Sequence, residues 1–419
     1  MRTAPWVEGG DPAEVATQWR GSPRRRDPEI RVGPTPTPGT LVAMQPSEAR
    51  VSTLELFFDL VFVFAITQIT GAISHEPTAV GLGRGVLLFA VLWWAWGAYA
   101  WLTNTVDTGE AGPRLVLLAG MAATLITALA VPTAWGDGGV AFALGYLVVM
   151  VLHAALFALA GESSDATRRA IVRLVPTNLG AGLLLVAAGA SDGTVQTGLW
   201  VAAIVICYAG PYVTGVAGFT VHPAHFVERH GLIVIIALGE SIVAIGAGED
   251  VTVDWALAGT SLAVMALVAG LWWDYFTRDA AAGEAALVAA DGHERARLAR
   301  DLYSYLHVPL VLGVVFAAVG IHEVLAHHDE PLDPVFAGAY AGGVALYFSG
   351  LAAIRVRRGD RPGGLCVAAV VVAVALIPVG AEVDALVTTV ALAAVALGAA
   401  LSRPERGQVR PGRRVEQSG

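Results

Sequence analysis

The sequence predicts an all-α polytopic bundle of about 12 membrane spans, laid out as two parallel six-helix repeats. Three observations predict it. Hydrophobic residues make up 55% of the 419 positions and charged residues only 15%, where soluble domains carry about 25% charged residues. The mean hydropathy of +0.63 excludes a water-soluble globule. Apolar runs of membrane-crossing length, about 20 residues, recur along the whole chain. The basic residues, finally, are segregated to one side of those runs.

The elements follow in order. Residues 1–50 are polar and rich in Pro and Arg, with no apolar core followed by a cleavage site. They read as a disordered cytoplasmic tail, not a cleaved signal peptide. A first membrane repeat, 51–225, holds runs near 54–73, 85–103, 114–133, 140–160, 171–190 and 198–219. A second, 226–402, holds runs near 230–248, 255–276, 303–322, 335–354, 364–381 and 385–402. The last two are joined by a short turn at Glu382 and Asp384, and losing that pair would leave 10 spans. The inner stretch 277–302 is an interfacial amphipathic helix or an extension of its neighbours. Residues 403–419 form a basic cytoplasmic tail.

There is no lysine, so all 26 basic residues are arginine. With the N-terminus inside, every arginine except Arg84 falls in a tail or at an inner loop, while Glu249, Asp250, Asp254, Asp329, Glu330 and Asp333 fall outside. This positive-inside pattern predicts cytoplasmic termini in a bacterial plasma membrane. The net charge of −9 is therefore a sum over two segregated signs, and no nucleic-acid partner is expected.

Internal likeness supports the repeats. A shift of 173 brings Glu55 onto Glu228 and Ile69 onto Ile242, and a shift of 179 brings Leu92-Trp93-Trp94 onto Leu271-Trp272-Trp273. An even number of spans per repeat gives both halves one orientation. The alternative is chance likeness between Leu/Val/Ala-rich helices.

Glu55 and Asp59 lie four apart in the first run and share a helix face. A carboxylate at the centre of a span costs roughly 2.5–3.5 kcal/mol, so such groups turn to a bundle interior or a wet cavity. Asp59, among Phe57, Phe58, Leu60, Val61 and Phe62, is an ion or proton site, or a structural acid bonded to a neighbouring helix. Glu55 sits nearer the inner interface, where Arg50 is a candidate partner. Glu240 lies deeper in its run; Gly239 beside it would admit a close helix and Ser241 a hydrogen bond across the contact. Thr67 and Gln68 occupy the corresponding place in the first repeat. Proton partners are sought at His153, Asp274, Asp301 and His307, with Asp274 one turn from Arg278. Asn178 and Thr177 follow Pro176, where a freed carbonyl can line a cavity.

Other chemistry is sparse. His322, Glu323, His327 and His328 lack metal-protease spacing, and no metal or cofactor is expected. Cys207 and Cys366 sit inside apolar runs as small hydrophobes. No phosphate-binding loop, nucleotide fingerprint or nucleophile elbow occurs, so no catalytic residue is assigned.

The stretches ELFFDLVFV at 55–63 and ERHGLIVIIALGES at 228–241 resemble the bacterial low-temperature-requirement A (LtrA) family over about 50–400. The motif residues are Glu55, Phe57, Phe58, Asp59, Glu228, Arg229, Gly239, Glu240 and Ser241. The resemblance implies a multi-pass membrane protein connected by name with growth in the cold, and supplies no role for these residues. FFDLVFVFAIT at 57–67 is also similar to the Phe-Ser-Asp helix of the endolysosomal potassium-channel and proton-leak family, which has two six-helix repeats. Phe58 stands where that motif has serine, and the second repeat lacks the motif. The expectation is an ion- or proton-coupled transporter or channel, its pathway formed by Glu55, Asp59, Thr67, Gln68, Glu240 and Ser241. The alternatives are a sensory or stress-adaptation protein of the bilayer and an enzyme acting on a lipid. The transported ion or solute and the oligomeric state, with a homodimer among the options, are left open.

Overall fold

The computed structural model describes residues 51–105, 110–159, 165–246 and 254–401. Both expected tails lie outside that range, as do Arg50, Glu249 and Asp250. All the regular elements described are helical.

Helix α1 (Thr53–His75) starts at a capping box: Ser52 Oγ accepts the Glu55 N–H, while the Glu55 carboxylate accepts the Ser52 N–H. Its pattern is inverted relative to a soluble helix. Glu55, Phe58, Asp59, Phe62, Ile66 and Ile69 form the buried stripe, while Phe57 and Leu60 are more than half exposed. A bilayer solvates apolar side chains, so the polar groups are the ones that turn inward. Helices α2 (Ala79–Thr103), α3 (Ala111–Leu129), α4 (Gly139–Leu159), α5 (Asp165–Gly189) and α6 (Gly193–Thr214) complete the first half.

Helix α7 (Pro223–Gly246) opens the second half. Helix α8 (Trp255–Asp274) runs through a π-helical turn, Tyr275–Asp279, into α9 (Ala280–Ala289). Likewise α10 (Gly292–Ala299) runs through a second π turn, Arg300–Tyr305, into α11 (His307–Ala326). The 277–302 stretch is thus an extension of its neighbours. Helices α12 (Pro334–Arg358), α13 (Gly364–Gly380) and α14 (Ala385–Leu401) close the bundle. Acids between the runs cap helices: Asp254 accepts the Leu257 N–H and Asp333 the Val335 N–H, each at 2.8 Å.

Among the described residues, nine helices are long and apolar enough to cross a membrane. The remaining three expected runs are helical as well. Helix α7 is 24 residues long and carries Glu228, Arg229 and Glu240; α13 and α14 are apolar and 17 residues each.

Within the first half α1 packs on α2 and α3, α3 on α4, α4 on α5, α5 on α6, and α2 on α6. Within the second, α7 packs on α8 and α11, α11 on α12, α12 on α13, α13 on α14, and α8 on α14. Helices α1 and α7 meet between the halves. The α11–α12 contact is made by glycine: a Cβ on Gly313 or Gly343 would stand 2.5–2.6 Å from the facing helix's backbone. Small residues at such crossings let backbones approach where no hydrophobic drive separates helix from lipid.

Candidate functional site

A cluster of buried charge joins α1 and α7. His225 and Arg229 are four apart on α7, and Glu55 and Asp59 four apart on α1, so two like-spaced polar pairs face each other. Arg229, only 1% exposed, donates through Nη1 to Glu55 Oε1 at 2.8 Å and through Nη2 to Asp59 Oδ1 at 3.0 Å. Nη1 also donates to Thr103 Oγ1 at 2.7 Å. The indole N–H of Trp96 reaches the same Asp59 oxygen at 2.8 Å. Phe58 lies beneath the guanidinium, 5.8 Å from ring centre to Cζ.

His225 Nε2 is 3.2 Å from Glu55 Oε2, and its Nδ1 is 3.0 Å from Asn104 Nδ2. The orientation of that amide is set by its other end, where Asn104 Oδ1 accepts the His222 N–H at 2.9 Å. Asn104 Nδ2 therefore donates to His225 Nδ1, leaving a neutral imidazole whose Nε2–H donates to Glu55. Two carboxylates thus share one guanidinium and no second cationic side chain. Asp59 Oδ2 and Arg229 Nε, both buried, have no hydrogen-bond partner among the described residues.

Glu240 lies on the face of Arg229, since 11 residues at 100° each return to within about 20°. Its Oε2 accepts from Thr67 Oγ1 of α1 at 2.7 Å. Phe62 and Ile66, both buried, lie between Asp59 and Thr67 on α1. Gln68 is half-buried, Ser241 is buried, and Glu228 is exposed, accepting the Val51 N–H at 3.2 Å. Gly239 is a correction: a Cβ there would meet nothing within 4 Å, so it marks no close helix approach.

The expected proton partners lie apart. His153 Nε2 is 3.1 Å from the Ala98 carbonyl and its ring packs on Tyr99 and Phe157. His307 is held by Tyr275 Oη at 2.9 Å and the Leu302 carbonyl at 2.8 Å. Asp301 is shared by Arg300 Nε and Arg357 Nε, each at 2.8 Å. Asp274 meets Arg278 at 3.3 Å, as its spacing suggests, and Arg355 at 3.0 Å. Arg355 also binds Asp279 at 2.6 Å, and Arg358 reaches Asp279 at 3.1 Å. These last groups form a second buried ion cluster linking the first π turn to the C-terminal end of α12.

At the C-terminal end of α11 His327 pairs with Glu323 at 3.2 Å, and the described residues contain no group of three metal-ligating side chains. His225, Trp96, Thr103 and Asn104 were not singled out as site residues from the sequence, and Arg229 entered only as a family-motif residue. An arginine four residues from a histidine inside an apolar run was the available signal; the α2 partners left none.

Fold and site define a polytopic helical membrane protein with a charged centre sealed between its first and seventh helices. The chain belongs to the family described as bacterial low temperature requirement A protein (LtrA), which it matches over residues 50–401. It is 31% identical over 319 residues to the uncharacterized protein RA0937 of Rhizobium meliloti (strain 1021), covering 72% of this chain and 76% of that protein. No solved structure matches it.

Proposed function

We propose that the protein is a proton-coupled transporter of the bacterial plasma membrane, with the α1–α7 contact as its working centre. One observation carries this: Glu55 and Asp59 share Arg229 while His225 is neutral, leaving one surplus negative charge among buried groups. A buried uncompensated charge is expensive enough that a proton or monovalent cation is drawn in to balance it. Asp59 Oδ2, buried and unpartnered, is where the proton binds, and its arrival would loosen Asp59 from Arg229 and bias the packing of α1 on α7. Glu240 with Thr67 is a second station, separated from the first by Phe62 and Ile66. That apolar separation suits an alternating carrier better than a continuously open pore.

The carrier has 12 spans in two parallel six-helix repeats, 51–225 and 226–402, with both termini cytoplasmic. Supporting the repeats, several packing pairs of the first half have counterparts in the second: α1–α3 and α7–α11, α4–α5 and α12–α13, α2–α6 and α8–α14. Thr67 and Glu240, which touch, are 173 residues apart, the shift that aligns the two motifs. Equivalent residues meet only near the axis relating two repeats. Supporting the orientation is the segregation of arginine, whose outside exception, Arg84, is paired with Glu76 at 2.8 Å.

The test is proton flux into proteoliposomes of purified protein under imposed pH and sodium or potassium gradients. Wild type is expected to move protons, and Asp59→Asn and Glu240→Gln to lose that flux while remaining monodisperse. Full flux from both well-folded variants, or none from wild type, sinks the proposal.

A further inference from the structure

A second site lies away from the charged centre. Near the arginine-bearing end, α2, α4, α5 and α6 part around a cavity of about 740 Å³ counting its mouth, closed by the second π turn. None of Glu55, Asp59, Arg229 or Glu240 lines it. Its walls include Trp93, Trp94, Trp101, Phe157, Phe219 and Tyr305.

The three indole N–H groups are committed to protein partners: Trp93 to the Ser304 carbonyl at 3.0 Å, Trp94 to Asn178 Oδ1 at 3.0 Å, and Trp101 to Ser304 Oγ at 2.9 Å. The Tyr305 hydroxyl donates to the Tyr208 carbonyl at 2.6 Å. The walls therefore offer mainly ring faces and hydrocarbon, a poor match for a sugar or nucleotide, whose polar groups would go unpaired.

One charge reaches the cavity. Arg300 lines it, its guanidinium 4.1 Å above the Tyr212 ring and bonded to Asp301. Asp301 is shared with Arg357, which also meets Glu294, itself paired with Arg297. Asp301 is thus divided between two guanidiniums and does not belong to Arg300 alone.

We propose that the cavity binds a single-chain anionic amphiphile, its hydrocarbon chain against the indole faces and its carboxylate or phosphate head on Arg300. Trp93 packs on Trp96 at 5.0 Å between ring centres, so a bound chain would press on the indole that holds Asp59.

The test uses the full chain in nanodiscs, reading quenching of tryptophan fluorescence by dibromostearate and, separately, by a dibrominated lysophosphatidic acid. Saturable quenching, reversed by the unbrominated compound, is expected; the tighter of the two identifies the head group. Gly97 lines the cavity, and a Cβ built on it meets nothing within 4 Å, so Gly97→Leu should fill the space, keep the fold and abolish the saturable phase. Val175→Trp does the same from α5 should the first variant misfold. Arg300→Gln should weaken binding about tenfold, the effect of losing one charged contact of about 1.4 kcal/mol. Non-saturable quenching of wild type, or an unchanged saturable curve in a folded cavity-filled variant, overturns the assignment. Because the readout is binding, either outcome is independent of whether the α1–α7 centre moves protons.

Discussion

Arg229 compensates two buried carboxylates at once, so the members of its cluster should respond unequally to removal. Arg229→Gln leaves Glu55 and Asp59 facing each other without a counter-charge, and breaking a buried pair in this way costs about 3–5 kcal/mol. Asp59→Asn leaves a neutral Glu55–Arg229 pair and should fold with a thermal midpoint near that of wild type. The double variant Arg229→Gln/Asp59→Asn should recover part of the lost stability, measured as thermal midpoints in one detergent. A single Arg229→Gln protein as stable as wild type would show that the guanidinium is not the counter-ion. Of this cluster, the carboxylates were legible in the sequence because acids interrupting a membrane run stand out. Their partners were not: Thr103, Asn104 and Trp96 are unremarkable in a Trp-rich helix, and only the fold brings them to α1. The same holds for Arg355, which binds Asp279 across 76 residues and whose replacement by Ala should cost stability on the scale of Arg229→Gln.

Among the elements, helix positions were readable almost throughout, because each apolar run is long enough to leave little choice of conformation in lipid. What could not be read is where a helix changes its turn. The π turns at Tyr275–Asp279 and Arg300–Tyr305 arise where Asp279 and Arg300 engage partners on other helices, and no local propensity announces that. Glycine was similarly ambiguous. Gly239, beside a buried acid, has open space around it, whereas Gly313 and Gly343 touch the facing backbone. Gly343→Leu should therefore lower the thermal midpoint, by overpacking worth about 1–3 kcal/mol, while Gly239→Ala should leave it nearly unchanged. Equal effects from the two would argue against the α11–α12 crossing.

At the scale of the whole molecule, the orientation rests on arginine placement. Cys207 and Cys366 are both buried, which leaves a quiet background for single-cysteine labelling. Asp137→Cys, between α3 and α4, should react with a membrane-impermeant maleimide on intact cells, and Arg361→Cys, between α12 and α13, only after permeabilisation. The reverse pattern would invert the protein. The sequence pointed to α1 and α7 as partners through the acids in their two motifs, and their contact is where Thr67 meets Glu240; the pairing of Arg229 with both α1 carboxylates needed the fold.

The proposed α1–α7 centre is expected to hold one exchangeable proton on Asp59. The direct measurement is a pH titration of the protonated-carboxyl band by infrared difference spectroscopy in reconstituted protein. In a Glu240→Gln background, which leaves Glu55 on Arg229 and Asp59 as the buried acids of the interface, one band should titrate and shift on deuteration, and adding Asp59→Asn should abolish it. A band that persists unchanged in the double variant, or no titrating carboxyl in the Glu240→Gln protein, would contradict the account.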